Sequence, residues 1–269
     1  MPTDTTPPPV PGPDGAAPPA AAPAAVLWDM DGTLVDTEPS WIAAERALMG
    51  AHGATWTHEQ ALGLVGKALP DSGAVLAAHL RESAGVERDP AGIVDELLSA
   101  VVASVRSAVV WRPGALELLR ALGTAGVPCA LVTMSYRSLA DAVASRVPGA
   151  FAVVVAGDEV ERGKPAPDPY LRAAERLGVD PAACVALEDS PPGVASAEAA
   201  GCRTVACPHM VPIPPAPGRS RVASLTEVDL PLLARLAGGE VVDTLASDDP
   251  ASPAGPAGGA LAARPGAAG

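Results

Sequence analysis

The chain reads as an α/β protein in which a doubly wound parallel sheet is interrupted, just after its first strand, by an inserted α-helical unit. Three observations predict this. Apolar strand-like runs alternate with helical stretches from about residue 109 to 206, the pattern of βαβ units around a parallel sheet. Between Ser40 and Arg106 no such run occurs, and apolar residues fall at helical spacing instead. Four apolar runs each deliver polar side chains into a loop, and open α/β sheets gather their ligand groups beyond the carboxyl ends of the strands.

Taken in order, residues 1–24 are mostly Pro, Ala, Thr and Gly, cannot bury much apolar surface, and are expected to be a disordered tail. Val26-Leu27-Trp28 is a buried strand ending in Asp29-Met30-Asp31-Gly32-Thr33-Leu34-Val35-Asp36. Alternate strand residues point to one side, so Asp29 and Asp31 emerge together where the chain bends at Gly32. A calcium loop also begins Asp-x-Asp, but its sixth and twelfth positions, Gly and Glu, are here Leu34 and Ser40. Asp36 and Glu38 are read as charges opening the next helix. Residues 40–106 form the helical insert, with linkers near 37–40 and 107–112. The run from Trp41 to Met49 and the stripe Ile93, Leu97, Leu98, Val101, Val102 and Val105 form its core. Lys67, after Leu64-Val65-Gly66, is either a contact from the insert to a polar leaving group or an ordinary solvated lysine.

A helix from Pro113 to Ala125 stops before Gly126, and the strand Val127–Val132 ends in the hydroxyls of Thr133-Met134-Ser135. Val153-Val154-Val155 leads through Gly157-Asp158-Glu159 to Arg162-Gly163-Lys164-Pro165, and a helix from Pro169 to Leu177 stops before Gly178. Cys184-Val185-Ala186-Leu187 ends in Glu188-Asp189-Ser190, where Asp189 can cap the helix suggested by residues 193–200. Residues 238–269, mostly Ala, Gly, Pro and Asp, are expected to be a second disordered tail. The core is therefore 25–39 together with 107–237.

Composition narrows the function classes. With a net charge of −13 and 3% aromatic residues the chain has neither a basic stripe nor stacking platforms, so a nucleic-acid partner is not expected. No apolar run reaches spanning length, and no Lys or Arg precedes Arg46 to open a signal peptide, so a soluble cytoplasmic protein without a membrane partner is expected. Cys129, Cys184, Cys202 and Cys207 show no Cys-x-x-Cys spacing and read as buried reduced thiols. His52, His58, His79 and His209 show no ligand spacing and read as surface or insert residues.

Two carboxylates at one strand end can divide labour, one as ionised metal ligand and nucleophile, the other as general acid and base. With the three downstream loops, the chain resembles the haloacid dehalogenase superfamily, in its phosphatase and β-phosphoglucomutase-like branch with a helical cap. The resemblance spans roughly residues 25 to 230 and rests on Asp29-Met30-Asp31-Gly32-Thr33, Thr133, Gly163-Lys164-Pro165 and Glu188-Asp189. It implies a Rossmann-like core with residues 40–106 as the cap. It also implies Asp29 as nucleophile and Asp31 as acid and base, with Thr133 and Lys164 on the phosphate. Mg²⁺ would be held by Asp29, Asp189 and the carbonyl of Asp31, with Glu188 as a nearby acid. Dehalogenases of the superfamily lack the second aspartate, so Asp31 favours phosphoryl chemistry. The expected substrate is a small phosphorylated metabolite such as a sugar or polyol phosphate, hydrolysed through an aspartyl phosphate. The same motifs serve a phosphomutase, which passes the phosphoryl group to a second hydroxyl, and a third possibility is a binding or regulatory module that no longer turns over.

Overall fold

The structure, a computed structural model, describes residues 22–246 apart from Gly66. Its six strands are β1 (Ala25–Trp28), β2 (Cys129–Val132), β3 (Val153–Val155), β4 (Cys184–Glu188), β5 (Arg203–Ala206) and β6 (Ser220–Arg221). They form one parallel sheet in the order β3-β2-β1-β4-β5-β6. All of β1, β2 and β4 is buried. Successive side chains supply opposite cores: Val26, Trp28, Leu131 and Val185 face one side, Leu27, Ala130, Val132 and Ala186 the other. Burial on both faces is why these runs are continuously apolar instead of alternating.

Between β1 and β2 lie α1 (Glu38–Ala51), α2 (His58–Leu62), α3 (Leu69–Ala84) and α4 (Pro90–Ser107), followed by α5 (Ala115–Thr124) on the core. The remaining helices are α6 (Arg137–Ala144), α7 (Asp168–Leu177), α8 (Pro191–Ala199) and α9 (Leu230–Ala237). Leu118 and Leu122 of α5, Leu139 of α6 and Leu233 of α9 pack on the face of Trp28, and Tyr170 and Ala173 of α7 with Ala197 of α8 pack on the face of Leu27. The sheet is thus covered on both sides, as a doubly wound fold requires.

The helices of 38–107 form because their apolar stripes have a partner. In α4, Ile93, Val94, Leu97, Leu98, Val101, Val102 and Val105 are buried on one side, and the helix opens with Asp89 accepting from the backbone of Gly92 at 3.0 Å and Pro90 at its first position. The chain leaves and re-enters the core side by side. Val35 pairs antiparallel with Trp111, Asp36 N donates to Val110 O at 2.8 Å and Arg112 N to Leu34 O at 3.0 Å.

Residues 242–244, which fall within the tail expected from residue 238, pair with the edge of the sheet. Arg221 N donates to Val242 O at 2.8 Å, the Arg221 guanidinium donates to Asp243 Oδ2 at 2.8 and 3.0 Å, and Thr244 N donates to Arg221 O at 3.0 Å. Arg221 is 7% exposed on the last strand of the sheet, and both its edge backbone and its buried charge need partners, which this segment supplies. At the other end Ala24 N donates to Ala183 O at 2.9 Å, extending the β1 ladder. Residues 1–21 and 247–269 of the two expected tails lie outside the described residues. No described helix is long and apolar enough to cross a membrane.

Candidate active site

The strand register assembles the site. Trp28 of β1 stands beside Leu131 of β2 and Leu187 of β4, so the next residues, Asp29, Val132 and Glu188, are neighbours at the carboxyl edge of the sheet. β1 is also where the strand order turns, with β2 and β3 on one side and β4 to β6 on the other, so adjacent loops diverge and open a crevice. The loop after β3 sends Lys164 across this row. Its Nζ donates to Asp29 Oδ1 at 2.6 Å, Glu188 Oε1 at 2.6 Å and Val132 O at 2.9 Å, with the side chain 4% exposed.

Each carboxylate has a different setting. Glu188 is fully buried and saturated: Oε1 also accepts from Tyr170 OH at 2.7 Å, and Oε2 accepts from Asp189 N at 3.1 Å and Ser190 Oγ at 3.3 Å. A side chain at Gly193 would put its Cβ 2.0 Å from the Glu188 oxygens, so α8 begins hard against this acid. Asp189 accepts from Thr33 Oγ1 at 3.2 Å. Gly32, at φ +91°, lies under Asp189: a Cβ there would sit 2.1 Å from Oδ2, so both the left-handed turn and the close approach require glycine. Asp31 is held by hydroxyls alone, Oδ1 accepting from Thr37 at 2.5 Å and Oδ2 from Thr133 at 2.9 Å and Ser135 at 2.8 Å.

Asp29 is the exception. Its Oδ2 is buried without a hydrogen-bond partner. Burial pushes its carboxyl up to about 7, Lys164 opposing this and Glu188 and Asp31 adding to it. Burial and the charges of Asp29 and Glu188 likewise hold Asp189 well above the usual carboxylate range. Burial works against the Lys164 ammonium, yet Asp29 and Glu188 beside it outweigh that and keep it charged. The cluster is short of positive charge. Oxygens of Asp29, Glu188 and Asp189 lie within 4.8 Å of one another, a hard-donor set with one orphaned oxygen, and so fit a divalent cation.

The structure brings Asp29, Asp31, Thr133, Lys164, Glu188 and Asp189 together, with differences from what the sequence suggested. The Asp31 carboxylate lies outside the three-acid cluster and is taken up by hydroxyls, which leaves the carbonyl, the atom expected on the metal, as its only contribution there. Thr133 Oγ1 spends its proton on Asp31. The helix after Glu188-Asp189-Ser190 is capped by Ser190, whose Oγ accepts from Gly193 N at 3.2 Å, and not by Asp189. His209, read from sequence as a surface or insert residue, lines the same pocket from the loop after β5, as does Met210. Its Nε2 lies 3.5 Å from Asp36 Oδ1, and burial with the nearby Arg112 charge lowers its pKa. Ser135, Thr33, Thr37 and Tyr170 were not singled out as site residues. Ser135 carried a signal, a second hydroxyl two residues after Thr133; Tyr170 carried none, being an aromatic on a helix face.

Residues 23–201 match the haloacid dehalogenase-like hydrolase family model. Hexitol phosphatase A of Escherichia coli is 37% identical over 185 residues, covering 67% of this chain and 81% of that protein. The bifunctional riboflavin kinase/FMN phosphatase of Arabidopsis thaliana is 35% identical over 188 residues, covering 69% of this chain, which thus spans 48% of that longer protein. Among solved structures, a variant of CbbY from Rhodobacter sphaeroides in complex with xylulose-(1,5)-bisphosphate superposes with a TM-score of 0.69 at 28% identity, covering 76% of this chain and 96% of that one.

Proposed function

This chain belongs to the haloacid dehalogenase-like hydrolase family, and we propose that it is a Mg²⁺-dependent phosphatase that cleaves a small phosphorylated metabolite, such as a sugar or polyol phosphate, through an aspartyl phosphate on Asp29. The observation that carries this reading is the state of Asp29: buried, unpartnered at Oδ2, and beside both a buried lysine and further carboxylates.

Asp29 attacks phosphorus, and the bond from phosphorus to the ester oxygen breaks with its electron pair staying on that oxygen. Asp31 gives that oxygen a proton. Water then attacks phosphorus of the aspartyl phosphate, Asp31 takes the proton released, and Asp29 and inorganic phosphate are restored. Lys164 neutralises the phosphoryl group, and Thr133, with Ser135, keeps the Asp31 carboxyl aimed. Asp29 and Asp189, with the Asp31 carbonyl and Glu188 close by, would hold Mg²⁺, which supplies the charge that lets a carboxylate approach a phosphate dianion.

Residues 40–106 serve as a cap over this chemistry. One pocket is lined both by Asp29 and Lys164 of the core and by Trp41, Leu64 and Leu97 of the helices after β1, so a bound ester is shielded from bulk water on the cap side. Four free, buried cysteines support a reducing, cytoplasmic setting.

The test is phosphate release from a panel of small phosphate esters in Mg²⁺ or EDTA. Metal-dependent release by the wild type, lost by at least about 10³-fold in Asp29→Asn and Asp31→Asn, is expected. Release that survives in Asp29→Asn removes the covalent step.

A further inference from the structure

The leaving-group end of the pocket carries its own chemistry. Glu38, Trp41 and Glu45 recur at i, i+3 and i+7 along α1, so all three face the cavity from one stripe. Glu45 is 5% exposed. One of its oxygens accepts from Trp56 Nε1 at 2.8 Å, the other has no hydrogen-bond partner among the described residues, and the residue lines the cavity. Trp56 therefore fixes a carboxyl that keeps one oxygen free to accept. Glu38 is half-buried, with the charges of Glu45 and Asp31 near it, and its side chain makes no hydrogen bond among the described residues.

The positive charge on the lining is sparse. Lys164 is committed to Asp29 and Glu188, Lys67 stands exposed at the rim, and no arginine lines the cavity among the described residues. A second phosphate would need paired cations where this pocket offers two carboxyls.

We infer that the pocket selects a monophosphate whose leaving group is uncharged and hydroxyl-bearing, with Glu45 accepting one of its hydroxyls and Glu38 rejecting a second phosphate. This rests on the phosphomonoester reading above and deepens it, because two of the three relatives named with the site differ in this respect: one is a hexitol phosphatase and the other is held with a bisphosphate. It also separates hydrolysis from a mutase reaction, which must hold a bisphosphorylated intermediate with one phosphate at this end.

The experiment titrates the non-reacting Asp29→Asn protein, in Mg²⁺, with a hexitol monophosphate and with a hexose bisphosphate, alone and combined with Glu45→Gln or Glu38→Lys. Glu45→Gln keeps an acceptor for Trp56 but turns an amide toward the cavity, and Glu38→Lys changes a half-buried position, so one variant remains informative if the other misfolds. We expect the monophosphate to bind at least about tenfold tighter than the bisphosphate, Glu45→Gln to weaken the monophosphate about tenfold, and Glu38→Lys to improve the bisphosphate about tenfold. Equal or tighter binding of the bisphosphate by the parent overturns the inference, as does a monophosphate affinity indifferent to Glu45. Wild-type hydrolysis of the same esters is read separately. Turnover with bisphosphate preference sinks this inference and leaves the phosphatase reading standing, while selective monophosphate binding without turnover does the reverse.

Discussion

At the scale of single residues, Lys164 decides whether the acids of the site can coexist in a folded protein. Its ammonium is the shared partner of Asp29 and Glu188, both buried, and its side chain is 4% exposed. Lys164→Met keeps the length and apolar stem but strands two carboxylates away from water. Removing one partner of a buried ion pair costs about 3 to 5 kcal/mol, so denaturant unfolding of this variant in EDTA should show a loss of that size. A loss below about 1 kcal/mol would mean that the pair is solvated or already neutral. Three of the residues carrying this chemistry were legible because they sit directly after an apolar run, Asp29 after Trp28, Thr133 after Val132 and Glu188 after Leu187, and Lys164 was legible from its Gly163-Lys164-Pro165 setting. Tyr170 was not, because its bond to Glu188 joins a helix face to a strand end, and nothing local in either segment announces it.

At the scale of elements, α1, the first helix after β1, lines the pocket and carries a titrating group. Burial raises the Glu45 carboxyl from 4.5 to about 7, partly opposed by the Trp56 bond and by Arg46. The folded state therefore holds a proton that the unfolded chain has released, so this group stabilises least at high pH. Its contribution is fully present below about 4.5 and is lost as pH rises through about 7. Glu45→Gln should leave stability unchanged near pH 4.5 and raise it relative to wild type, by on the order of 2 kcal/mol, above pH 7. Unfolding free energies measured across that range check this, and parallel curves for the two proteins would contradict it. The helices of 38–107 could be read from spacing because an apolar stripe is a repeating signal. β6 and the segment pairing with it could not: two strand residues and a Pro-poor stretch around Val242 give no periodicity, and their pairing is driven by an unfilled sheet edge and the buried Arg221.

At the scale of the whole molecule, the net charge of −13 opposes the approach of a phosphate ester, so the attraction must be local, from Lys164 and from any divalent cation that the Asp29, Glu188 and Asp189 cluster takes up. The doubly wound sheet supplies what that requires. Its parallel register and turning strand order bring four loops, distant in sequence, to one end, and helices inserted after β1 line the same pocket. The parallel sheet followed from alternation and the helical insert from its break, because strands buried on both faces and helices at 3.6 periodicity differ so plainly in pattern. The central claim, a phosphoryl group carried by Asp29, is tested most directly with an aryl phosphate whose phenolate leaves without a proton. Asp31→Asn should then release a burst of one phenolate per protein, stop, and carry the mass of one phosphoryl group on the peptide containing Asp29, while Asp29→Asn gives neither burst nor adduct. A burst without an adduct, an adduct on another residue, or steady turnover by Asp29→Asn would contradict the account.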